Sequence, residues 1–259
     1  MKEQILITGA SSGIGFEMAR ELAIKGFDLI LVARRKDVLQ QMKSDWEAAY
    51  QIKVTVIAKD LARPESAQEL YDEITTSGLT VTGLINNAGF GNYGDFADTP
   101  LAEDVAMIQV NVSTLVSLTK LVLAGMKERR SGRIMNIASL LSFLPFPYYS
   151  VYSATKAFVL AFTETIAAEL EGSGVTVTAL CPGPIDTGFN TSEMLKTNAY
   201  KANKPMDPKV VATQGVALFL NGKGKKIVGF NNWFISNLPR VTPDTVMMKI
   251  KKNLASIGR

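Results

Sequence analysis

Apolar positions along the chain alternate between two rhythms. Short runs at residues 5–7, 27–32, 53–57, 83–85, 133–138, 175–181 and 227–229 predict strands, and the run at 27–32, where only Asp28 is polar, has the pattern of a strand covered on both faces in a parallel sheet. Between them, residues 16–25, 36–50, 66–77, 101–126, 152–170 and 208–220 carry apolar side chains at helical spacing, as Met18, Leu22 and Ala23 do in the first. Strand and helix in regular alternation predict one doubly wound α/β domain, a parallel sheet with helices on both faces. No repeat, low-complexity tract or linker divides the chain, and the domain is expected over residues 1–230. Within it, 187–207 is weakly periodic and polar, which suits a lid over a site. Residues 233–238 and 242–254, separated by Pro239 and Pro243, predict two amphipathic helices, so that 231–259 forms a helical extension packed on the same domain.

Two helices, 101–126 and 152–170, are apolar over more than one face. Such a helix must be buried twice, once by the sheet and once by something else, most simply a second subunit. A homodimer or homotetramer is therefore expected. Within the first helix Asn111 sits among apolar neighbours, where it needs a task or a buried partner.

Composition narrows the chemistry. The 259 residues are 47% hydrophobic, ample for one core, and the net charge of +4 is too modest and scattered to suggest a nucleic-acid partner. The single cysteine, Cys181, allows no internal disulfide or cysteine metal cluster and reads as a small buried side chain. No signal peptide opens the sequence, and no run approaches the roughly 18 apolar residues of a membrane span, so a cytoplasmic protein without a transmembrane segment is expected. The absence of histidine excludes Ser-His-Asp and Cys-His mechanisms and histidine-ligated metals. Proton transfer must then fall to Tyr, Lys, Asp, Glu or a cofactor.

The first strand runs into Thr8-Gly9-Ala10-Ser11-Ser12-Gly13-Ile14-Gly15 and then a helix. Such a turn is either a tight strand-to-helix connection or a cradle in which bare backbone N–H groups meet a phosphate. The second strand is followed by Arg34 and Arg35, with no carboxylate, at the place where an acidic residue would hold the ribose 2′-OH of NAD and arginine would accommodate the 2′-phosphate of NADP. Two cations at a helix N-terminus are mildly unfavourable unless an anion joins them, which favours NADP. Asp60, after the third strand, can reach an adenine amino group or cap a turn, and Asn86-Asn87-Ala88-Gly89 suits close approach of backbone to a ligand. The loop from Leu140 to Tyr149 is too apolar and aromatic for ordinary exposure and reads as a pocket wall, together with Phe90 and Phe189. Tyr152 and Lys156, four residues apart on a helix, share a face; a neighbouring ammonium favours phenolate and lowers the phenol pKa.

Taken together, Thr8-Gly9-x3-Gly13-Ile14-Gly15, Asn86-Asn87-Ala88-Gly89, Asn111, Ser139, Tyr152-x3-Lys156 and Pro182-Gly183 closely resemble the short-chain dehydrogenase/reductase family over about residues 4–230. The resemblance implies a Rossmann-type fold. It implies that Tyr152 exchanges a proton with the substrate oxygen as hydride moves to or from the nicotinamide, that Ser139 orients that oxygen, and that Lys156 holds the nicotinamide ribose and lowers the Tyr152 pKa. Asn111, distorting its helix, would hold a water that links Lys156 to solvent. For the cofactor it implies Gly9, Ser11, Ser12, Gly13, Ile14 and Gly15 at the pyrophosphate, and Asp60 and Leu61 at the adenine. Asn87, Ala88 and Gly89 would lie at the adenosine ribose, and Pro182, Gly183, Ile185 and Thr187 at the nicotinamide. The long tail loosely resembles a subgroup with hydroxysteroid and long-chain 3-oxoacyl reductase-like proteins.

The leading expectation is thus an NADPH-dependent reductase of an apolar ketone or 3-oxoacyl compound. The extended sugar-nucleotide epimerases share Tyr-x3-Lys, but the compact length and glycine spacing speak against them. A regulatory protein that binds NADP without turnover would be expected to lack a catalytic residue, and all four are present. The C-terminal segments can meet a membrane surface through Trp233, Phe234 and the lysines at 249, 251 and 252, or dock on the domain; docking is the expectation.

Overall fold

The computed structural model describes residues 2–257. Seven strands form one sheet: β1 (Gln4–Thr8), β2 (Asp28–Ala33), β3 (Val54–Ala58), β4 (Gly83–Asn86), β5 (Gly132–Ile137), β6 (Val175–Cys181) and β7 (Lys225–Ile227). Every pairing is parallel, in the order β3-β2-β1-β4-β5-β6-β7. The order reverses between β1 and β4, which opens a crevice at their carboxyl ends.

Helices α1 (Gly13–Ile24), α2 (Lys36–Tyr50) and α8 (Pro208–Asn221) cover one face of the sheet; α3 (Ser66–Thr76), α5 (Leu115–Glu128) and α6 (Ser150–Glu169) cover the other. The period of two along β1 sorts its side chains between these layers. Ile5 and Ile7 pack with Met18, Leu22 and Phe219, while Leu6 packs with Leu70, Leu118 and Val122. All three β1 residues are fully buried, which explains the continuous apolar run. Gly83 allows this close packing, since a Cβ there would lie 2.6 Å from Ile5 Cδ1 and 2.7 Å from Phe219 Cζ. Helix α8 shows how local signals set an element: Asp207 accepts from the Lys209 N–H at 2.8 Å, Pro208 opens the helix, and Gly222 ends it at φ +70°.

Several boundaries differ from the sequence expectation. The long helix expected at 101–126 is a helical run of three parts: α4 (Leu101–Ile108), a π-helical segment (Gln109–Thr114) and α5. By length and composition this run, Leu101–Glu128, is apolar enough to cross a membrane, contrary to the expectation that no segment qualifies. Scattered Asn, Ser and Thr residues break its consecutive apolar count without lowering its mean hydropathy much. In the fold it is a core helix: Met107, Leu118, Val122 and Met126 are buried, and Thr114 and Thr119 take part in buried hydrogen bonds. Strand β7 lies two residues earlier than expected, because Gly229 turns the chain at φ +90°. The lid region contains a short helix, α7 (Asn198–Ala202), where periodicity gave no helix. The C-terminal segment forms α9 (Phe230–Asn237) and α10 (Asp244–Ala255).

Candidate active site

The glycine turn sits at the crevice. Gly9 and Gly13 adopt φ of +65° and +58°, open to glycine at little strain. A Cβ on Gly15 would strike the Asn87 amide and the Gly9 carbonyl. Thr8 and Asn87 lock the turn: Thr8 Oγ1 accepts from the N–H groups of Asn87 and Ala88, each at 3.0 Å, and Asn87 Nδ2 donates to the carbonyls of Thr8 (2.9 Å) and Gly9 (3.2 Å). The Asn87 amide is thereby committed to the turn. Helix α1 begins with no side-chain cap from Ser12 and no acidic residue in its first turn. Its first N–H groups and positive dipole end are left for an anion.

Arg35 leans over this turn, donating from Nη2 to the Ser11 carbonyl (2.8 Å) and Oγ (3.1 Å). Arg34 is exposed. Of the two readings open for Asp60, the structure shows the turn cap: Oδ1 accepts from the Ala62 N–H at 3.0 Å. Leu61 is buried, and its carbonyl accepts from Thr114 Oγ1 at 2.9 Å. Thr187 faces the glycine turn, since a Cβ on Gly13 would lie 3.4 Å from Thr187 Cγ2. Ile185 is buried and bridges to Met206, and the Pro182 carbonyl accepts from the Leu140 N–H at 2.7 Å.

Beyond β4 and β5, Asn111, Ser139, Tyr152 and Lys156 converge. Lys156 is 5% exposed, and its Nζ donates to the Ile137 carbonyl at 2.8 Å. The same Nζ lies 5.9 Å from the Tyr152 ring centroid. Gly89 lets the 87–91 segment slide between these groups, for a Cβ there would lie 2.8 Å from Asn111 Oδ1 and 3.5 Å from Lys156 Nζ. Asn111 is 1% exposed in the π-helical segment; its Oδ1 accepts from the Phe90 N–H (3.2 Å), and its Nδ2 donates to the Phe90 carbonyl (3.0 Å) and Thr155 Oγ1 (3.1 Å). The inconvenient mid-helix asparagine thus makes three hydrogen bonds to two residues, Phe90 and Thr155. Ser139 caps a short turn, with Oγ accepting from the Leu141 N–H at 3.1 Å, while Ser142 Oγ donates to the Lys156 carbonyl at 2.7 Å. Both ends of the constellation are therefore tied to the same turn.

The Tyr152 pKa departs from expectation. Burial pushes the phenol up to about 12, against a smaller lowering from its hydrogen bond with Ser139 and a further rise from nearby Tyr149. Burial likewise lowers Lys156 to about 8. Loss of water around the ring is the largest of these effects and sets the direction. The tyrosine is a protonated acid at neutral pH.

Aromatic side chains line the approach. Phe189 packs on Tyr152 with ring centroids 5.6 Å apart. Tyr93 meets Tyr149 edge-on at 5.1 Å and Tyr148 at 5.6 Å. The Tyr93 hydroxyl donates to the Ala255 carbonyl at 2.8 Å, so the end of α10 reaches the site. Helix α7 is held at both ends by the C-terminal segment. At its start, the Asn198 N–H donates to the Ser256 carbonyl (3.0 Å) and Nδ2 to the Asn253 carbonyl (2.9 Å). Just past its end, Asn203 Nδ2 donates to Asn232 Oδ1 at 2.8 Å, and Asn232 Nδ2 donates to the Val228 carbonyl at 2.7 Å. Asn232 also fills the space that a Cβ on Gly183 would need. Sequence reasoning missed Thr155, Tyr93, Asn198 and Asn232. Only Thr155, inside Tyr-x3-Lys, stood next to a recognised signal.

The description "short chain dehydrogenase" matches residues 3–198, three quarters of the chain including the glycine turn and the Tyr152–Lys156 pair. The chain belongs to the short-chain dehydrogenase family. This short-chain dehydrogenase is 33% identical to the human very-long-chain 3-oxoacyl-CoA reductase, over 97% of this chain and 80% of that protein. Among solved structures it is similar to a short-chain dehydrogenase from Sphingobium yanoikuyae in complex with NADPH, with TM-score 0.79 and 28% identity over 92% of this chain and 93% of that one. It is also similar to the bulky-bulky ketone specific alcohol dehydrogenase from Comamonas testosteroni, with TM-score 0.78 and 27% identity over 92% of each chain. As a family member this short-chain dehydrogenase is an oxidoreductase with a Rossmann-like fold, of a family that uses nicotinamide cofactors and small-molecule substrates.

Proposed function

We propose that the chain is an NADP(H)-dependent carbonyl reductase of apolar ketones or 3-oxoacyl compounds. The observation that carries this reading is the convergence of Tyr152, packed on Phe189 with ring centroids 5.6 Å apart, with a buried Lys156 whose Nζ lies 5.9 Å from the Tyr152 ring centroid. The residues at the glycine turn fit a dinucleotide: the α1 N-terminus is uncapped, the glycines leave no room for a Cβ, and Arg35 stands over Ser11. Gly9 to Gly15 would hold the pyrophosphate and Arg34 with Arg35 the 2′-phosphate. NADPH, when bound, supplies the hydride.

Tyr152 gives its phenolic proton to the substrate oxygen, and the Ser139 hydroxyl donates to the same oxygen and orients it. Reduction is the direction suited to a phenol that keeps its proton at neutral pH. Lys156 donates one hydrogen to Ile137 and keeps two for the ribose hydroxyls. Both Asn111 amide hydrogens are engaged by Phe90 and Thr155, so the water of the proton path falls to the backbone of the π-helical segment. Asn87 acts by holding the turn, and Asp60 by shaping the loop before Leu61. The half-buried aromatic loop and the substrate named in the human relative both support an apolar substrate. Exposed Leu101, Val105, Ile108 and Phe158 on α4 and α6 supply an apolar face for a homodimer or homotetramer, and we place the enzyme in the cytoplasm.

Nicotinamide oxidation, followed across bulky ketones, steroids and 3-oxoacyl thioesters with NADPH and NADH in parallel, tests the reading. Turnover of an apolar carbonyl with NADPH preferred is the expected result. Tight NADPH binding with no turnover of any compound would contradict it and favour a non-catalytic NADP-binding regulator.

A further inference from the structure

Helix α9 is amphipathic in the inverted sense. Its buried residues are the polar Asn232 and Ser236, while Phe230, Trp233 and Phe234 are 76%, 51% and 56% exposed. Helix α10 repeats the inversion in part: Lys251 is buried, while Val246, Met248 and Ile250 face solvent. Val241, between the helices, is 81% exposed. A helix that docks only on its own domain buries its apolar face. These two hold the lid with polar groups and turn apolar side chains outward.

Charge is distributed with the same bias. From residue 222 to 259 the sequence has eight Lys or Arg and one acidic residue, Asp244, although the rest of the chain has more acidic than basic residues. Phe230 and Trp233, stacked at 5.8 Å, line one shallow groove with Lys225 and Lys226. Lys225 pairs with Glu164, whereas Lys226, Arg240, Lys249 and Lys252 form no ion pair among the described residues. We infer that the outer face of α9 and α10 docks on the surface of an anionic lipid bilayer, with the aromatic side chains in the interfacial layer and the free cations at the headgroups. A second copy of the chain fits this face poorly. A two-fold interface sets each patch against itself and would bring the unpaired cations together. Because the same segment clamps α7, the lid would open close to the layer that holds apolar substrates.

The sequence has two tryptophans, Trp46 at 7% exposure and Trp233 at 51%, so emission reports the patch directly. The full-length protein is mixed with vesicles of phosphatidylcholine and phosphatidylglycerol, or of phosphatidylcholine alone, and followed by co-sedimentation and emission wavelength. The expected result is sedimentation with the anionic vesicles and a blue shift that disappears in Trp233→Phe. Lys226→Glu combined with Lys249→Glu should weaken the association at least about tenfold while the circular dichroism spectrum is unchanged. Two results would overturn the inference: no partition of the wild-type protein onto anionic vesicles, or a loss of oligomer mass in Phe230→Ser/Trp233→Ser, which would assign the face to a second copy.

Discussion

Lys156 Nζ donates to the carbonyl oxygen of Ile137 at 2.8 Å, which fixes a buried ammonium to the last residue of β5, two residues before Ser139. Burial holds the group near 8 instead of 10.5, so its charge is retained at neutral pH and lost under mildly alkaline conditions. Tyr152, pushed up to about 12, keeps its proton over this range. The rate of carbonyl reduction should therefore fall as pH rises through about 8, and the Lys156→Met variant should lose that limb of the profile along with most of its activity.

The same shift has a stability signature with a definite sign. Between about pH 8 and 10.5 the unfolded chain keeps a proton on Lys156 that the folded chain has released, so raising the pH favours the folded state. Measured by denaturant unfolding, wild type should gain on Lys156→Met by up to about 3 kcal/mol across that window. A constant difference between the two proteins would mean that the lysine is not desolvated.

Asn111 joins the π-helical segment to Phe90 and Thr155, and no apolar residue can replace those three bonds. Asn111→Leu should cost about 1–3 kcal/mol of stability through the unpaired Phe90 backbone. At a pH where both proteins are folded, its kcat should fall more than its affinity for NADPH. Thr155→Val is the milder test, since it removes only one of the three bonds.

Arg34 and Arg35 bear on cofactor choice. Their replacement by alanine should weaken NADPH binding by about tenfold to a hundredfold, the range of charge-assisted phosphate contacts, with little effect on NADH. Titration of cofactor fluorescence measures both. An equal loss for the two cofactors would leave Arg35 as a prop for Ser11, consistent with its bonds to that residue but not with a 2′-phosphate role.

Helix α7 is held from outside the site. Asn232→Ala releases Asn203 at one end of α7, and Asn198→Ala removes two side-chain ties, to Asn253 and Ser256, at the other. Either should raise KM for an apolar carbonyl several-fold more than it lowers kcat, and residues 191–204 should exchange amide hydrogen faster. Faster exchange with unchanged kinetics would show that α7 does not govern access.

Much of this architecture was legible in the sequence because burial on both faces leaves a simple trace. The runs Ile5–Ile7 in β1 and Leu29–Ala33 in β2 are continuous, and the glycine turn, Ser139 and Tyr152-x3-Lys156 lie at strand ends and helix starts that the pattern marks. Features created by packing left no such trace. The π-helical segment is a choice of backbone partner that 3.6-residue periodicity does not encode. The Tyr152 pKa also depends on which residues cover it, which a pair spacing does not encode. Asn198 and Asn232 matter because a distant tail passes over α7. The inverted polarity of α9 could not be recognised while only its amphipathic spacing was known.

The central claim is that Tyr152 is the proton donor of a reductase. Single-turnover oxidation of NADPH with the best carbonyl of the panel, in wild type and Tyr152→Phe, tests it most directly when cofactor binding is measured in the same samples. The account predicts that the phenylalanine variant binds NADPH as wild type does and loses at least about a hundredfold in the hydride-transfer rate, the loss of general acid catalysis. A variant that turns over at the wild-type rate would contradict it and move the proton donor away from Tyr152.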